Sequence, residues 1–148
     1  MSEWSIYVLA STVANRTYVG YTRTAKILSR LSKHNGARAG GANATRAHRP
    51  WQVVLSVDGL ERRPAMQLEW RMHRRYAGRG ASSSIGRRMQ QLAAALSMER
   101  WTSTAPALQS LASLRVTWHC AAVDKPVCLA KWLEPPKEIV SDKNDRTS

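Results

Sequence analysis

Tyr7, Tyr18, Arg30 and Glu69 carry chemistry that packing alone does not call for in the 148-residue chain. Two phenols, a guanidinium and a carboxylate suit phosphodiester hydrolysis, which needs a group to activate water, positive charge on the phosphate and a carboxylate to hold a divalent ion. One carboxylate with water filling the other positions suits a single Mg2+ (or Mn2+), because Mg2+ gives up its hydration shell reluctantly. A free phenol ionises only at a pKa of ~10. The charge of Arg30 is expected to favour the phenolate form. No activated Ser or Cys constellation accompanies these groups, so hydrolysis is expected rather than transfer.

Short elements must bring these residues together. Residues 4–9 (W-S-I-Y-V-L) and 17–22 (T-Y-V-G-Y-T) are rich in aromatic and β-branched side chains and predict a β-hairpin. A helix over 25–34 places Ile27, Leu28 and Leu31 on one side and stops at Asn35-Gly36. Residues 36–49 read as a mobile basic loop. Residues 51–57 (W-Q-V-V-L-S-V) read as a mostly buried strand closed by Asp58-Gly59. Pro64 opens a helix running to Tyr76, a loop covers 78–84, and further helices are predicted over 85–98 and 106–111. A short strand over 114–120 and a fraying tail over 141–148 complete the chain. The expected fold class is α/β, with a small, mostly antiparallel central sheet flanked by helices.

Charge points to the partner. The net charge is +13, and residues 16–88 alone hold sixteen Lys and Arg against Asp58, Glu61 and Glu69, so the whole excess belongs to the folded body. A concentrated positive field attracts a polyanion and gives salt-dependent affinity. Lys26, Lys33, Arg38, Arg46, Arg49, Arg71 and Arg74 are the candidate DNA-binding residues. Arg outnumbers Lys 17 to 6, which favours forked contacts to phosphate; a genomic bias toward Arg is the plainer alternative for the ratio. Gly36, Gly40 and Gly41 are not followed by G-K-S/T, so nucleotide hydrolysis is disfavoured. Cys120 and Cys128, even with His119, lack the paired spacing of a structural zinc site and read as buried thiols. No apolar run approaches the ~20 residues of a spanning helix, and no leader pattern opens the chain, so an intracellular address is expected.

The ordered motifs S-I-Y (5–7), Y-V-G (18–20), R-L-S-K-H-N (30–35), G-G-A (40–42), P-W-Q-V-V (50–54), V-D-G (57–59) and L-E-W (68–70) resemble the GIY-YIG nuclease superfamily. The closest likeness is to the nuclease domain of the Slx-type structure-specific endonuclease catalytic subunit. M-Q-Q-L-A-A-A-L (89–96), Trp101 and L-R-V-T-W (114–118) resemble the segment that follows in that branch, so the likeness covers residues 4–118. It implies a nuclease domain over 1–118 and a C-terminal extension over 119–148 without a complete zinc-binding RING. It implies that Tyr7 and Tyr18 line an active site, with Tyr18 favoured for activating water, and that Arg30 binds the scissile phosphate. His34 joins them from the same helix, and Glu69 is the sole protein ligand to the metal.

The implied substrates are branched DNAs (flaps, forks and four-way junctions) in repair and recombination. A scaffold subunit or a homodimer is the implied partner, and the address is nuclear if the source is eukaryotic. The alternatives are a sequence-directed homing or restriction-type nuclease and a catalytically silent DNA-binding module. Two departures from the family pattern stand out: Ser5 replaces the usual Gly, and two extra residues lie between Gly20 and Arg30, which leaves Arg23 or Lys26 as substitutes for Arg30. Glu69 pairing with neighbouring arginines, His48 and His73 as surface residues, His119 without a role, and Trp51, Trp70 and Trp118 as core residues are the plainer readings.

Overall fold

The computed structural model describes residues 3–73 and 85–120 together with Leu129 and Leu133. Four strands, β1 (Trp4–Ser11), β2 (Thr17–Arg23), β3 (Trp51–Leu60) and β4 (Arg115–Trp118), form one sheet in the order β2-β1-β3-β4 with every pair antiparallel. The helices are α1 (Ile27–His34), α2 (Arg62–His73) and α3 (Ile85–Leu96). This is the expected α/β class. The predicted segments 78–84 and 141–148, Tyr76, Arg74 and Cys128 lie outside the described residues. No helix among the described residues is long and apolar enough to cross a membrane.

Strand β1 is enclosed from Ser5 to Ala10, and its alternation sends side chains into two different cores. Ile6, Val8 and Ala10 face α2 and α3 and meet Ala65, Leu68, Met72, Met89 and Leu92. Tyr7 and Leu9 turn the other way, into a smaller cluster with Ile27 of α1 and Trp51. A register shift sets Val8 opposite Leu55 but Leu9 opposite Val53, so the intervening Val54 is the extra residue of an irregularity in β3. That irregularity lets Trp51 and Val53 join the smaller cluster while Val54 and Leu55 serve the larger.

Several expectations change. Asp58-Gly59 does not end the third strand, which continues to Leu60. Gly59 has φ +76°, and a Cβ there would fall 1.7 Å from the Ser113 carbonyl oxygen, so only glycine passes this second register shift. The predicted helix over 106–111 is a single 3-10 turn, Leu108–Ser110. The basic loop after α1 is not free along its length. It contains a 3-10 turn, Asn43–Thr45, whose Thr45 is fully buried and accepts the Trp51 indole N–H at its carbonyl, 2.8 Å away. Asn35, the residue after α1, bonds both the N–H and the C=O of Trp51 through its side-chain amide, which ties the helix end to the start of β3. Trp70 is exposed, whereas Trp101 is fully enclosed and donates its indole N–H to Ala95.

Asp58 is a buried carboxylate that accepts from Ser5, Ser56 and Thr117, at 2.5, 3.1 and 2.8 Å. The Ser5 hydroxyl links β1 to β3, and its oxygen faces the Thr24 hydroxyl at 2.6 Å. His119 extends the network through Ser56. Cys120 is a buried free thiol. Replacing Asp58 by Ala removes the acceptor shared by three hydroxyls and is expected to lower unfolding free energy by about 2 to 3 kcal/mol in urea titrations, with Asn costing less.

Candidate active site

The site forms at the β2 edge of the sheet, where α1 and α2 approach from opposite faces. Tyr7 on β1 and Tyr18 on β2 share one face, because Tyr7 pairs with Gly20 and Leu9 with Tyr18. A Cβ on Gly20 would fall 2.4 Å from the Tyr7 hydroxyl oxygen, so the glycine of the Y-V-G motif makes room for Tyr7. His34, the last residue of α1, is fully buried between them. Its Nε2 lies 2.9 Å from the Tyr7 hydroxyl, its Nδ1 lies 2.8 Å from the Thr45 hydroxyl, and its ring centroid lies 4.9 Å from that of Tyr18.

Arg30 stands one turn before His34. Its charge acts on Tyr7, Tyr18 and His34 together. Arg23, the substitute that the longer spacing left open, lies instead against the Trp4 ring, 5.8 Å from its centroid. The 3-10 turn Thr24–Lys26 occupies the stretch between β2 and α1.

Glu69 reaches the same edge from α2. Among the described residues its ion-pair partner is His73, one helical turn on, with Nε2 to Oε1 3.5 Å. The same His73 nitrogen lies 3.0 Å from the Val19 carbonyl, which accepts only, so this nitrogen carries a proton and pins α2 to the edge strand. His73 is solvent-exposed, as expected of a surface residue, yet it touches both the carboxylate and β2. Its i,i+4 spacing from Glu69 was visible in the sequence. Thr45 is the other residue that sequence reasoning missed, and nothing in its glycine-rich surroundings marks it.

Burial dominates the electrostatics. It raises both phenols above the ordinary tyrosine range, with Arg30 acting the other way on each. The expectation that Arg30 would favour a phenolate holds for the sign of its own effect but not for the outcome, because enclosure penalises the charged form more. Burial also raises Glu69, with His73 opposing it. His34 is pushed down to about 4, first by burial and then by the charges of Arg30 and Arg49. The imidazole is therefore neutral at pH 7.

The candidate DNA-binding residues fall into two groups. Lys26, Arg38, Arg46 and Arg49 are exposed around α1 and its loop, and Lys33 is half-buried. Arg49 also donates through Nε to the His34 carbonyl at 2.8 Å, and Arg71 donates through two nitrogens to the Trp101 carbonyl, so part of each guanidinium serves the fold. Among the described residues no group of three or more His, Cys, Asp or Glu gathers into a metal cage. The donor set at the edge is one half-buried carboxylate, which fits a hydrated hard cation and not a closed zinc site.

Two measurements follow from this geometry. Gly20→Ala must displace a buried hydroxyl held by His34, so a loss of about 1 to 3 kcal/mol in stability is expected, together with loss of the Tyr7–His34 bond. Unfolded His34 protonates near 6.5 and the folded residue only near 4. The unfolded chain thus binds the extra proton, and stability rises with pH across that window. Urea midpoints are expected to fall between pH 6.5 and 4, less steeply in His34→Gln, and the His34 ring signals to titrate near 4.

Comparison with known proteins accords with this arrangement. The GIY-YIG catalytic domain family matches residues 3–80. Over 68 residues the chain is 46% identical to the structure-specific endonuclease subunit slx1 of Aspergillus terreus, a match that spans 43% of this chain and 17% of that protein. Over 77 residues it is 38% identical to the structure-specific endonuclease subunit SLX1 of Homo sapiens, spanning 50% of this chain and 27% of the human protein. The matched stretch thus covers about a sixth of the fungal relative and about a quarter of the human one. With two phenols, a guanidinium, a histidine and a single carboxylate gathered within the matched residues, the chain belongs to the GIY-YIG catalytic domain family.

Proposed function

We propose that the protein is a divalent-metal-dependent, structure-specific endonuclease that hydrolyses one strand of branched DNA, in repair or recombination. The observation that carries this reading is the meeting of Tyr7, Tyr18, Arg30, His34 and Glu69 at one sheet edge within a strongly basic body. The names of the relatives, which are structure-specific endonuclease subunits, support the substrate class and a partner subunit. A homodimer is the other assembly compatible with the name. Residues 1–118 form the nuclease unit in this reading and 119–148 its extension, with an intracellular address, nuclear in a eukaryote.

Arg30 binds the scissile phosphate and offsets the charge that develops on it. Tyr18 is half-buried whereas Tyr7 is enclosed, so Tyr18 is the phenol open to substrate. Its oxygen orients the attacking water as a hydrogen-bond acceptor, and the nearby positive charge of Arg30 favours the phenolate, the form that can take the proton of that water. Tyr7 and His34 form the buried floor against which Tyr18 and Arg30 are aimed. Glu69 would hold one Mg2+ or Mn2+, which when bound polarises a phosphoryl oxygen. His73 restrains the helix turn that presents Glu69. Lys26, Lys33, Arg38, Arg46, Arg49, Arg71 and Arg74 contact the DNA backbone, giving affinity that falls steeply with salt and little sequence readout.

Nicking of labelled fork, flap, four-way and linear DNAs, with Mg2+ and with chelator, tests the reading. Branched substrates are expected to be cut only with metal. Cutting confined to linear sites favours sequence-directed cleavage, and binding without any cutting favours a silent module. Glu69→Gln and Arg30→Ala are each expected to lower kcat by about 10²- to 10³-fold while DNA affinity changes little, since one phosphate contact among many contributes a small share.

A further inference from the structure

The bonds around His34 have a direction. Thr45 has one hydroxyl proton, and its oxygen lies 2.8 Å from the Ala42 carbonyl, which accepts only. With that proton directed at Ala42, the Thr45 oxygen can only accept from His34 Nδ1, 2.8 Å away. A neutral imidazole with its proton on Nδ1 has a bare Nε2, and the Tyr7 hydroxyl, 2.9 Å from it, must donate. The Tyr7 oxygen then keeps its lone pairs free to accept, and the Arg30 guanidinium is the charged donor that acts on it. The reverse arrangement sets the Thr45 oxygen against the Ala42 oxygen with no proton between them.

We propose that Thr45 is a positioning residue: by accepting from His34 Nδ1 while donating to Ala42, it selects the imidazole tautomer that makes Tyr7 a donor to His34 and leaves the Tyr7 oxygen as an acceptor for Arg30. A loop residue outside the catalytic set thereby aims the guanidinium that binds phosphate. Thr45 is fully enclosed, its carbonyl is held by Trp51, and His34 and Tyr7 are equally shielded from water. No solvent molecule competes for these bonds, so their polarity propagates along the whole chain of groups. The tautomer itself is independent of activity; its consequence for turnover rests on the nuclease reading.

Nitrogen-15 spectra of the full chain at pH 7, with His34 assigned by its loss in His34→Gln, test the proposal directly. The unmodified protein is expected to show the Nδ1-protonated form; an Nε2-protonated His34 overturns the proposal with no substitution at all. Thr45→Val, which removes the acceptor at near-constant volume, is expected to shift His34 toward the Nε2-protonated form, and Thr45→Ser to retain the original one. An unchanged tautomer in Thr45→Val also overturns it. On a branched DNA that the unmodified protein nicks, Thr45→Val is expected to lower kcat by about 10- to 100-fold with KM nearly constant, and Ser to restore it. Equal turnover in Thr45→Val and the parent removes the positioning role while leaving the nuclease reading intact. Failure of the parent to cut any DNA removes the nuclease reading and leaves the tautomer result standing.

Discussion

A neutral imidazole sealed between a strand, a helix end and a loop governs the geometry of everything around it. His34 closes α1, bonds Tyr7 at the centre of the sheet through one nitrogen and Thr45 in the following loop through the other. Each bond is buried, and each would leave an unsatisfied polar group if broken, at a cost of about 1 to 3 kcal/mol. The ring also underlies Tyr18. One side chain therefore sets the depth of two phenols and anchors the helix that carries Arg30.

That position has an electrostatic price set by its neighbours. Burial disfavours the charged imidazole and the positive charges of Arg30 and Arg49 add to that effect, so the group stays uncharged where an exposed histidine would begin to protonate. Neutrality is what permits a bare acceptor nitrogen and hence a donating Tyr7. The same enclosure that keeps His34 neutral holds the two phenols and Glu69 toward their uncharged forms. The resting site thus carries positive charge on Arg30 beside groups held toward their uncharged forms.

The edge strand supplies the second constraint. Because β2 ends the sheet, α2 can bring Glu69 round from the far face, and His73 secures that approach by bonding the Val19 carbonyl that the sheet leaves outward. A central strand would have separated the two faces. The approach of α2 and the meeting of Glu69 with the groups on β1, β2 and α1 both follow from this one topological choice.

Alternation of apolar side chains along residues 4–9 and 17–22, helical spacing of Ile27 and Leu31, and the ordered motifs were sufficient to locate the hairpin, α1, α2 and the residues at the site. These are short-range patterns, and short-range sterics and amphipathicity decide them. Chain separation hid the rest. Thr45 sits in a run of Gly, Ala and Arg, and only the docking of Trp51 and His34 turns it into a buried anchor. Asp58 reads locally as a turn with Gly59, and only hydroxyls from three other places in the chain, Ser5, Ser56 and Thr117, make it an interior acceptor within a continuing strand. The inventory of reacting groups was written in one dimension. Their protonation and the direction of their hydrogen bonds depend on burial and on partners far along the chain, which exist only once the sheet and its flanking helices have closed around them.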